Sequence, residues 1–259
     1  MSPSTPPSPG ALPAPAGPVQ AGWQELAPGC SPQLRGWWAL PADRAPRAAV
    51  LVLPEVFGVN GWVSSVADRL AGHGYGALAL PIFARTAPDL EVGYDAAGLE
   101  EGRRHRDQLT ADQFLTDART AIAWLQAQPG LQGRPVGCVG FCFGGHLALL
   151  AATLPEVAAT CDFYGARVST DRPGGGPPTL DVVPQIGGTL LCLCGDHDPL
   201  MPPDELAAIR TALAASGQPP LSLAAGAGHG FMCEARADFH PAAAAEGWHQ
   251  MLALFEQRL

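Results

Sequence analysis

The sequence predicts a single α/β domain with a mostly parallel sheet and helices on both faces. Three observations support this prediction. Short apolar runs alternate with amphipathic stretches of helical spacing along most of the chain. Several of these runs are apolar throughout, as expected for strands that are buried on both sides. The length of 259 residues suits one such domain, and no internal repeat is visible.

The predicted strands share a core rich in Val, Leu, Ala and Cys, and glycine or proline stands near their ends. AAVLVLPEVFG at 48–58 is a near-continuous apolar example. In chain order, strands are predicted at 48–58, 75–83, 134–142, 157–165, 188–195 and 220–228.

The predicted helices carry apolar residues three and four positions apart, as Val63, Val66 and Leu70 show. Thr110 or Asp112 is a suitable N-cap for the second of them, and Pro129 marks its end. In chain order, helices are predicted over 61–74, 110–130, 146–154, 202–216 and 242–259. The stretch at 168–187 is rich in glycine and proline and is predicted as a loop.

The N-terminus has a different composition from the rest of the chain. Its first twenty residues hold seven prolines and no charged side chain. We therefore expect a disordered Pro-rich tail at 1–22, followed by an α/β domain at 23–259. A secretory signal would need a basic start and an unbroken apolar stretch, and a membrane helix needs roughly 20 apolar residues. Neither pattern is present, so we expect a soluble cytoplasmic protein that does not bind a membrane.

Charge and cysteine content exclude several classes of function. The net charge is −9, with only 15 Lys and Arg, so nucleic acid is not an expected partner. The seven cysteines are odd in number, include no C-x-x-C pair and mostly lie in strand-like runs. This pattern is typical of buried, inert thiols and not of a disulfide framework or a zinc site. We expect neither a metal nor a cofactor.

The segment GFCFGG places Cys142 where a predicted strand gives way to a helix. Glycines two positions before and after it allow close approach of the neighbouring backbone, as in the G-x-S-x-G nucleophile elbow of α/β-hydrolases. The helix N-terminus that follows would favour a thiolate and could hold an oxyanion. The alternative is a buried cysteine whose flanking glycines serve only packing. The motif by itself leaves both interpretations open.

Residues further along the chain favour the reactive interpretation. In α/β-hydrolases the nucleophile is followed by an acid and then by a histidine. Asp196 and Asp198 follow one predicted strand, and His229 follows the next, so all three stand where the carboxyl ends of parallel strands place ligand-binding residues. Cys142, one of these aspartates and His229 would form a nucleophile–base–orienter relay.

Class I glutamine amidotransferases share a G-x-C-x-G elbow and are a rival interpretation. Their base and acid come as H-x-E. Here Phe231 stands two residues after His229, and no H-x-E follows Cys142. The rival interpretation is therefore not supported.

Five motifs in order resemble the dienelactone hydrolase (carboxymethylenebutenolidase-like) family of the α/β-hydrolase superfamily. They are PEVFGVN, GFCFGG, DFYG, GDHDPLMPP and GHGF, within 54–231, and the resemblance extends over nearly all of 25–259. It implies the α/β-hydrolase fold and a cofactor-independent hydrolase of small, dienelactone-like esters or lactones. The mechanism it implies uses a Cys-His-Asp triad and a thioester intermediate.

The resemblance also implies roles for individual residues. The family's acid stands four residues before a proline, which favours Asp198 over Asp196. Glu55 matches a glutamate that helps to ionise the thiol, and Tyr164 matches a tyrosine near the pocket. The oxyanion hole is expected from backbone N–H groups, namely those of Phe143 and of either Val56 or Phe57.

Substrate recognition departs from the family pattern. The family binds a substrate carboxylate with arginines, one of them four residues after the histidine, where this chain has Cys233. Arg236 is the arginine nearest to that position. A second arginine that binds the carboxylate is expected among Arg103, Arg104 and Arg106, and we predict Arg104 or Arg106. The partner is expected to be a small-molecule substrate, and a monomer and a dimer are both open. The alternative function is a non-catalytic or redox-sensing protein that uses the same pocket.

Overall fold

The computed structural model describes residue 12, residues 14–29 and residues 33–259. In this part of the chain, eight strands form one sheet in the order β1-β2-β4-β3-β5-β6-β7-β8. β2 is antiparallel to both of its neighbours, β1 and β4. The remaining neighbours in the sheet, from β4 through β3 to β8, pair in parallel. The strands are β1 Val19–Glu25, β2 Arg35–Pro41, β3 Ala49–Leu53, β4 Gly76–Ala79, β5 Val136–Phe141, β6 Val157–Phe163, β7 Thr189–Gly195 and β8 Ser222–Ala224.

Helices cover both faces of this sheet. They are α1 Gly61–Gly72, α2 Ala96–Arg106, α3 Ala111–Gln126, α4 Phe143–Ala151, α5 Pro203–Ala215 and α6 Pro241–Arg258, with a 3₁₀ helix at Thr179–Gln185. The prediction of a mostly parallel sheet with an α/β-hydrolase fold is confirmed. No helix among the described residues is both long and apolar enough to cross a membrane.

The alternation of side chains along β3 divides the core into two main layers. Val50 and Val52 pack on the face covered by α1 and α6, whereas Leu51 and Leu53 pack on the face covered by α3 and α4. All four are fully buried, which explains the unbroken apolar run in the sequence.

Four elements differ from the sequence prediction: β1, β2, α2 and the 3₁₀ helix, which lies within the predicted loop at 168–187. β1 and β2 were not predicted; β1 is an edge strand in which five of the seven residues are exposed. β1 begins at Val19, so residues 19–22 belong to the sheet and not to the predicted tail. Residues 1–11 and 13 lie outside the described residues, and disorder there stays a prediction. α2 was not predicted either, because it is polar over most of its surface.

The helix N-caps explain where two helices begin. Thr110, one of two candidates, is the N-cap of α3: its hydroxyl accepts from the N–H of Gln113, and the Gln113 side chain accepts from the Thr110 N–H. This capping box satisfies two N–H groups that the helix itself leaves without partners. α2 begins after Asp95, whose carboxylate accepts from the N–H of Gly98 at 2.8 Å.

Candidate active site

Cys142 occupies the sharp turn between β5 and α4. Its backbone lies at φ 54° and ψ −117°, a conformation that non-glycine residues rarely adopt and that costs about 1–3 kcal/mol. The turn is held by a hydrogen bond from the Cys142 N–H to the Phe163 carbonyl at 3.0 Å. Both flanking glycines are required, since a Cβ at Gly140 would lie 2.0 Å from the Gly144 carbonyl oxygen and one at Gly144 would lie 2.3 Å from that of Leu53.

The surroundings of Cys142 differ from those of the other cysteines. Among the six described cysteines, Cys142 is partly exposed and the remaining five are buried. Cys30 lies outside the described residues. Cys142 lines a cavity, where a substrate could reach it.

His229 and Asp198 form a buried hydrogen-bonded pair beside this turn. The distance between His229 Nδ1 and Asp198 Oδ2 is 2.8 Å, and Asp198 Oδ1 accepts from the Leu200 N–H at 2.8 Å. Asp196 is exposed and accepts instead from the Gly226 N–H. His229 therefore contacts Asp198 and not Asp196, in the order that a relay requires.

The electrostatics of His229 favour its charged form. Burial acts to lower the pKa of His229, but the negative charge of the Cys142 sulfur and the hydrogen bond to Asp198 outweigh it and raise that pKa to about 10. Its Nε2 atom is buried beside Cys142 without the geometry of a formed hydrogen bond. Such contacts are often long before substrate binds. The surroundings of His229 therefore favour its imidazolium form.

Glu55 follows β3 and is completely buried. Its Oε1 atom accepts from Arg236 Nη1 at 2.8 Å, while Oε2 has no partner among the described residues. Burial raises the pKa of Glu55, whereas the positive charges of Arg236 and His229 oppose this effect. The carboxyl group thus lies close enough to His229 for the two to influence each other's charge.

The residues expected to form an oxyanion hole line the same cavity as Cys142: Val56, Phe57 and Phe143. Phe143 is the first residue of α4, so its N–H has no partner within the helix. The backbone of Val56 is held in place by α2, because a Cβ at Gly102 would lie 2.2 Å from the Val56 carbonyl oxygen. That these N–H groups bind an oxyanion stays a prediction.

The cavity has a volume of about 770 Å³, within the range of ligand-binding clefts. Its walls come from the loops after β3 and β5, from α2 and from the segment after β6. Cys142 and His229 both lie on its surface.

Comparison with known proteins identifies the family. The model of the dienelactone hydrolase family matches residues 34–259. The chain belongs to the dienelactone hydrolase family. The predicted enzyme class, a hydrolase of lactones or esters, is thereby confirmed.

Relatives support the same assignment. A Synechocystis protein provisionally named carboxymethylenebutenolidase is 37% identical over 228 residues, covering 88% of this chain and 93% of that protein. A Bradyrhizobium protein, provisionally named a 2-oxo-3-(5-oxofuran-2-ylidene)propanoate lactonase, is 30% identical and covers 83% of this chain and 85% of its own. A Klebsiella pneumoniae structure, provisionally described as a dienelactone hydrolase, has a TM-score of 0.81 at 26% identity, covering 93% of this chain and 99% of its own.

Arg104 does not line the cavity, contrary to prediction. Its guanidinium pairs with Glu101 at 2.9 Å, and its side chain is 61% exposed. Arg103 and Arg106 line the cavity instead. The reason is helical register. Arg103 and Arg106 are three residues apart and share a face of α2, whereas Arg104 lies on a different face.

Tyr164 also differs from expectation. It is completely buried, is absent from the cavity surface, and its ring packs edge-on against His229 with 5.1 Å between centroids. The cause is its backbone, since φ of 47° turns the residue away from the course of β6. Tyr164 therefore supports the histidine and does not contact the space open to a substrate.

Arg236 lines the cavity as predicted, but its charge is already engaged. Besides Glu55, it lies 3.4 Å from Asp238, and its guanidinium carbon is 5.8 Å from the centroid of the Phe57 ring. Cys233, at the position where the family carries an arginine, is fully buried, and burial raises the pKa of its thiol to about 12. The cation at this side of the cavity is thus supplied by Arg236.

His146 lines the cavity but was not named in the sequence analysis, because it precedes the acid in the chain. It lies one helical turn after Cys142, and its N–H donates to the Cys142 carbonyl at 3.0 Å. The spacing of four residues within a helix was the available signal.

Proposed function

We propose that the protein hydrolyses a small carboxylic ester or lactone through a triad of Cys142, His229 and Asp198, with a thioester intermediate. The observation that carries the proposal is a strained, partly exposed cysteine beside a buried His229–Asp198 pair joined at 2.8 Å. Nucleophile, base and orienting acid in this arrangement are the components of acyl transfer. The names of the relatives support a lactone or another small ester as the substrate class.

The proposed reaction has two halves. The Cys142 thiolate attacks the carbonyl carbon, and backbone N–H groups of Phe143 and the Val56–Phe57 turn hold the oxyanion. As the C–O bond breaks, the His229 imidazolium gives its proton to the departing alkoxide or enolate. The neutral imidazole then takes a proton from water, which attacks the thioester. The tetrahedral intermediate collapses to the free carboxylic acid and the Cys142 thiolate, and His229 is again the imidazolium.

Asp198 and Glu55 have distinct roles in this proposal. Asp198 holds Nδ1 of His229, so that Nε2 faces the sulfur. Glu55 is not in line with the relay, but in its ionised form its negative charge would favour the imidazolium and thereby the thiolate. We propose that Glu55 tunes the thiol and that Arg236 keeps this carboxyl group in place.

The direct test compares Cys142→Ala with a matched control, Cys138→Ala, in which a buried thiol on the preceding strand is removed. Cys142→Ala should abolish turnover of a panel of activated esters and lactones, while circular dichroism shows a folded protein. Cys138→Ala should remain active. Undiminished hydrolysis by Cys142→Ala would exclude Cys142 as the nucleophile.

A pre-steady-state experiment separates an enzyme from a non-catalytic or redox-sensing protein. A chromogenic ester should give a burst of product equal to one acyl group per active site, followed by steady turnover. A burst without turnover, or alkylation of Cys142 by iodoacetamide with no hydrolysis of any ester, would favour the non-catalytic alternative.

A further inference from the structure

One wall of the cavity is formed by residues 166–178, here called the roof segment, which connects β6 to the 3₁₀ helix. It supplies nine of the 27 residues that line the cavity, so its position determines much of the cavity's shape. At its tip, Gly174, Gly175 and Gly176 all have positive φ, between 82° and 101°. Three consecutive glycines impose little order of their own, so the roof segment must be held by contacts elsewhere.

A single side chain bonds both ends of the roof segment. His146 Nδ1 lies 2.9 Å from the carbonyl oxygen of Ala166, where the segment begins. Its Nε2 lies 2.7 Å from Oγ1 of Thr179, the first residue after the segment. His146 is 3% exposed and Thr179 is fully buried, so water does not compete effectively for these bonds. We call this arrangement the His146 clamp.

The two hydrogen-bonding partners of His146 determine which of its ring nitrogens carries the proton. A carbonyl oxygen can only accept, so Nδ1 carries the proton and donates it to Ala166. Nε2 then has a free lone pair, which accepts from the Thr179 hydroxyl. Both ring nitrogens are occupied by these bonds. His146 therefore cannot act as an acid or base for a substrate, although it lines the cavity.

Other contacts hold the roof segment from different sides. The Thr179 N–H donates to the Asp171 carbonyl at 2.9 Å, and the Ala111 N–H at the start of α3 donates to the Pro173 carbonyl at 2.8 Å. Glu205 on α5 accepts from both the N–H and the hydroxyl of Ser169. The His146 clamp differs from these contacts because it joins the base of the segment to α4, the helix that begins directly after Cys142.

We propose that His146 is a positioning residue whose clamp holds the roof segment at a fixed place relative to Cys142 and thereby determines which esters the cavity accepts. The inference deepens the proposed function and, in its substrate part, rests on it. An ester with a long acyl chain extends from the sulfur towards the cavity walls and depends on the position of the roof segment. An acetyl ester is short enough to react without reaching them.

The test uses Thr179, which does not line the cavity and has no part in the catalytic relay. Thr179→Val has nearly the same shape but no hydroxyl, and Thr179→Ser is the matched control that keeps the hydroxyl. Thr179→Val should speed deuterium exchange of the amides in 166–178 by about fivefold to tenfold, as expected for the loss of one buried hydrogen bond. It should raise KM for p-nitrophenyl octanoate by a similar factor. Turnover of p-nitrophenyl acetate and alkylation of Cys142 by iodoacetamide should stay as in the parent.

The same measurements provide the control and show which results would overturn the proposal. Thr179→Ser should match the parent in exchange and in KM. Unchanged exchange in Thr179→Val would overturn the clamp. An equal loss of activity towards acetate and octanoate would overturn the role in selecting esters. If the parent itself hydrolyses no ester, the proposed function and the substrate part both fail, while the exchange data still decide whether the clamp holds the roof segment.

A measurement on the unaltered protein does not depend on the folding of any variant. Two-dimensional ¹⁵N NMR of the imidazole nitrogens should show His146 as the neutral Nδ1–H tautomer at neutral pH. A neutral Nε2–H tautomer or an imidazolium would break one of the two bonds and would overturn the clamp.

Discussion

At the scale of single residues, the candidate site contains buried ionisable groups. Burial and neighbouring charges have opposing effects on the pKa of each of these groups. His229 is buried, which acts to lower its pKa, yet the Cys142 sulfur and Asp198 together raise that pKa to about 10. Glu55 is buried beside the cations of Arg236 and His229, and burial raises its pKa. Paired groups with shifted pKa values are a feature of catalytic sites.

The role of Asp198 can be tested with Asp198→Asn. The amide keeps the shape of the side chain but removes the charge that favours the imidazolium and the correct tautomer. We expect kcat/KM for an activated ester to fall by about 10³–10⁴-fold, by analogy with the serine-protease triad. The pKa of His229, followed by NMR titration, should fall from about 10.

Asp196→Asn is the matched control for this prediction. Asp196 is exposed and contacts the Gly226 N–H, so its substitution should leave kcat/KM within about twofold of the parent. If Asp196→Asn were the more damaging of the two, the assignment of the acid would be wrong.

At the scale of secondary-structure elements, α2 and the loop containing Arg236 contribute several of the charges that face the cavity. α2 places Arg103 and Arg106 on the cavity and turns Arg104 towards Glu101. Arg106 is paired with Asp107 at 2.6 Å, and Arg236 is paired with Glu55. Arg103 has no acidic partner within the described part of the chain, so its charge is available to an anionic group.

The register of α2 gives a prediction for substrate recognition. Arg103→Ala should raise KM for an ester or lactone that carries a carboxylate by about fivefold or more, since hydrogen bonds to charged groups contribute about 1.5–3 kcal/mol. Arg104→Ala is the neighbouring control and should have no such effect. A neutral ester should be hydrolysed equally by both variants. Equal effects of the two substitutions on the anionic substrate would contradict the assignment of Arg103 to the cavity.

At the scale of the whole molecule, stability depends on a buried acid that the proposed reaction does not use. Asp162 on β6 is fully buried, and its Oδ1 atom accepts from the Gly165 N–H at 2.8 Å, while Oδ2 has no partner among the described residues. Burial raises the pKa of Asp162 from 3.8 to about 7. Between these two pH values, the folded protein binds more protons at this position than the unfolded chain does.

The free energy of unfolding should therefore fall as the pH rises from about 4 to about 7, at about 1.4 kcal/mol for each unit of pKa difference at this one group. Asp162→Asn cannot ionise and should remove this part of the pH dependence. Urea unfolding of the parent and of Asp162→Asn at pH 5, 6, 7 and 8 measures the difference. A constant difference between the two proteins across this range would show that Asp162 does not titrate there.

The sequence by itself determined the fold class, the order of the strands from β3 to β8 along the chain, and the family. The strands could be predicted because they are buried on both faces, so their apolar runs are unbroken. Cys142, the pair Asp196 and Asp198, and His229 could be named because each follows a predicted strand, where the carboxyl edge of a parallel sheet gathers side chains. The choice of Asp198 and the role of Glu55 came from the resemblance to the family. The polar α2 and the exposed β1 bury few side chains, and they were missed for that reason.

Only the tertiary structure decided which side chains face the cavity and which are held by one another. Arg104 points away because of its place in the turn of α2, and Tyr164 lies beneath His229 because its φ is positive. Arg236 is bound by Glu55, 181 positions away in the chain, and His146 joins two ends of a loop that local pattern leaves undefined. Local sequence patterns report whether a residue is buried, whereas a side chain's partner depends on elements that meet only when the chain is folded.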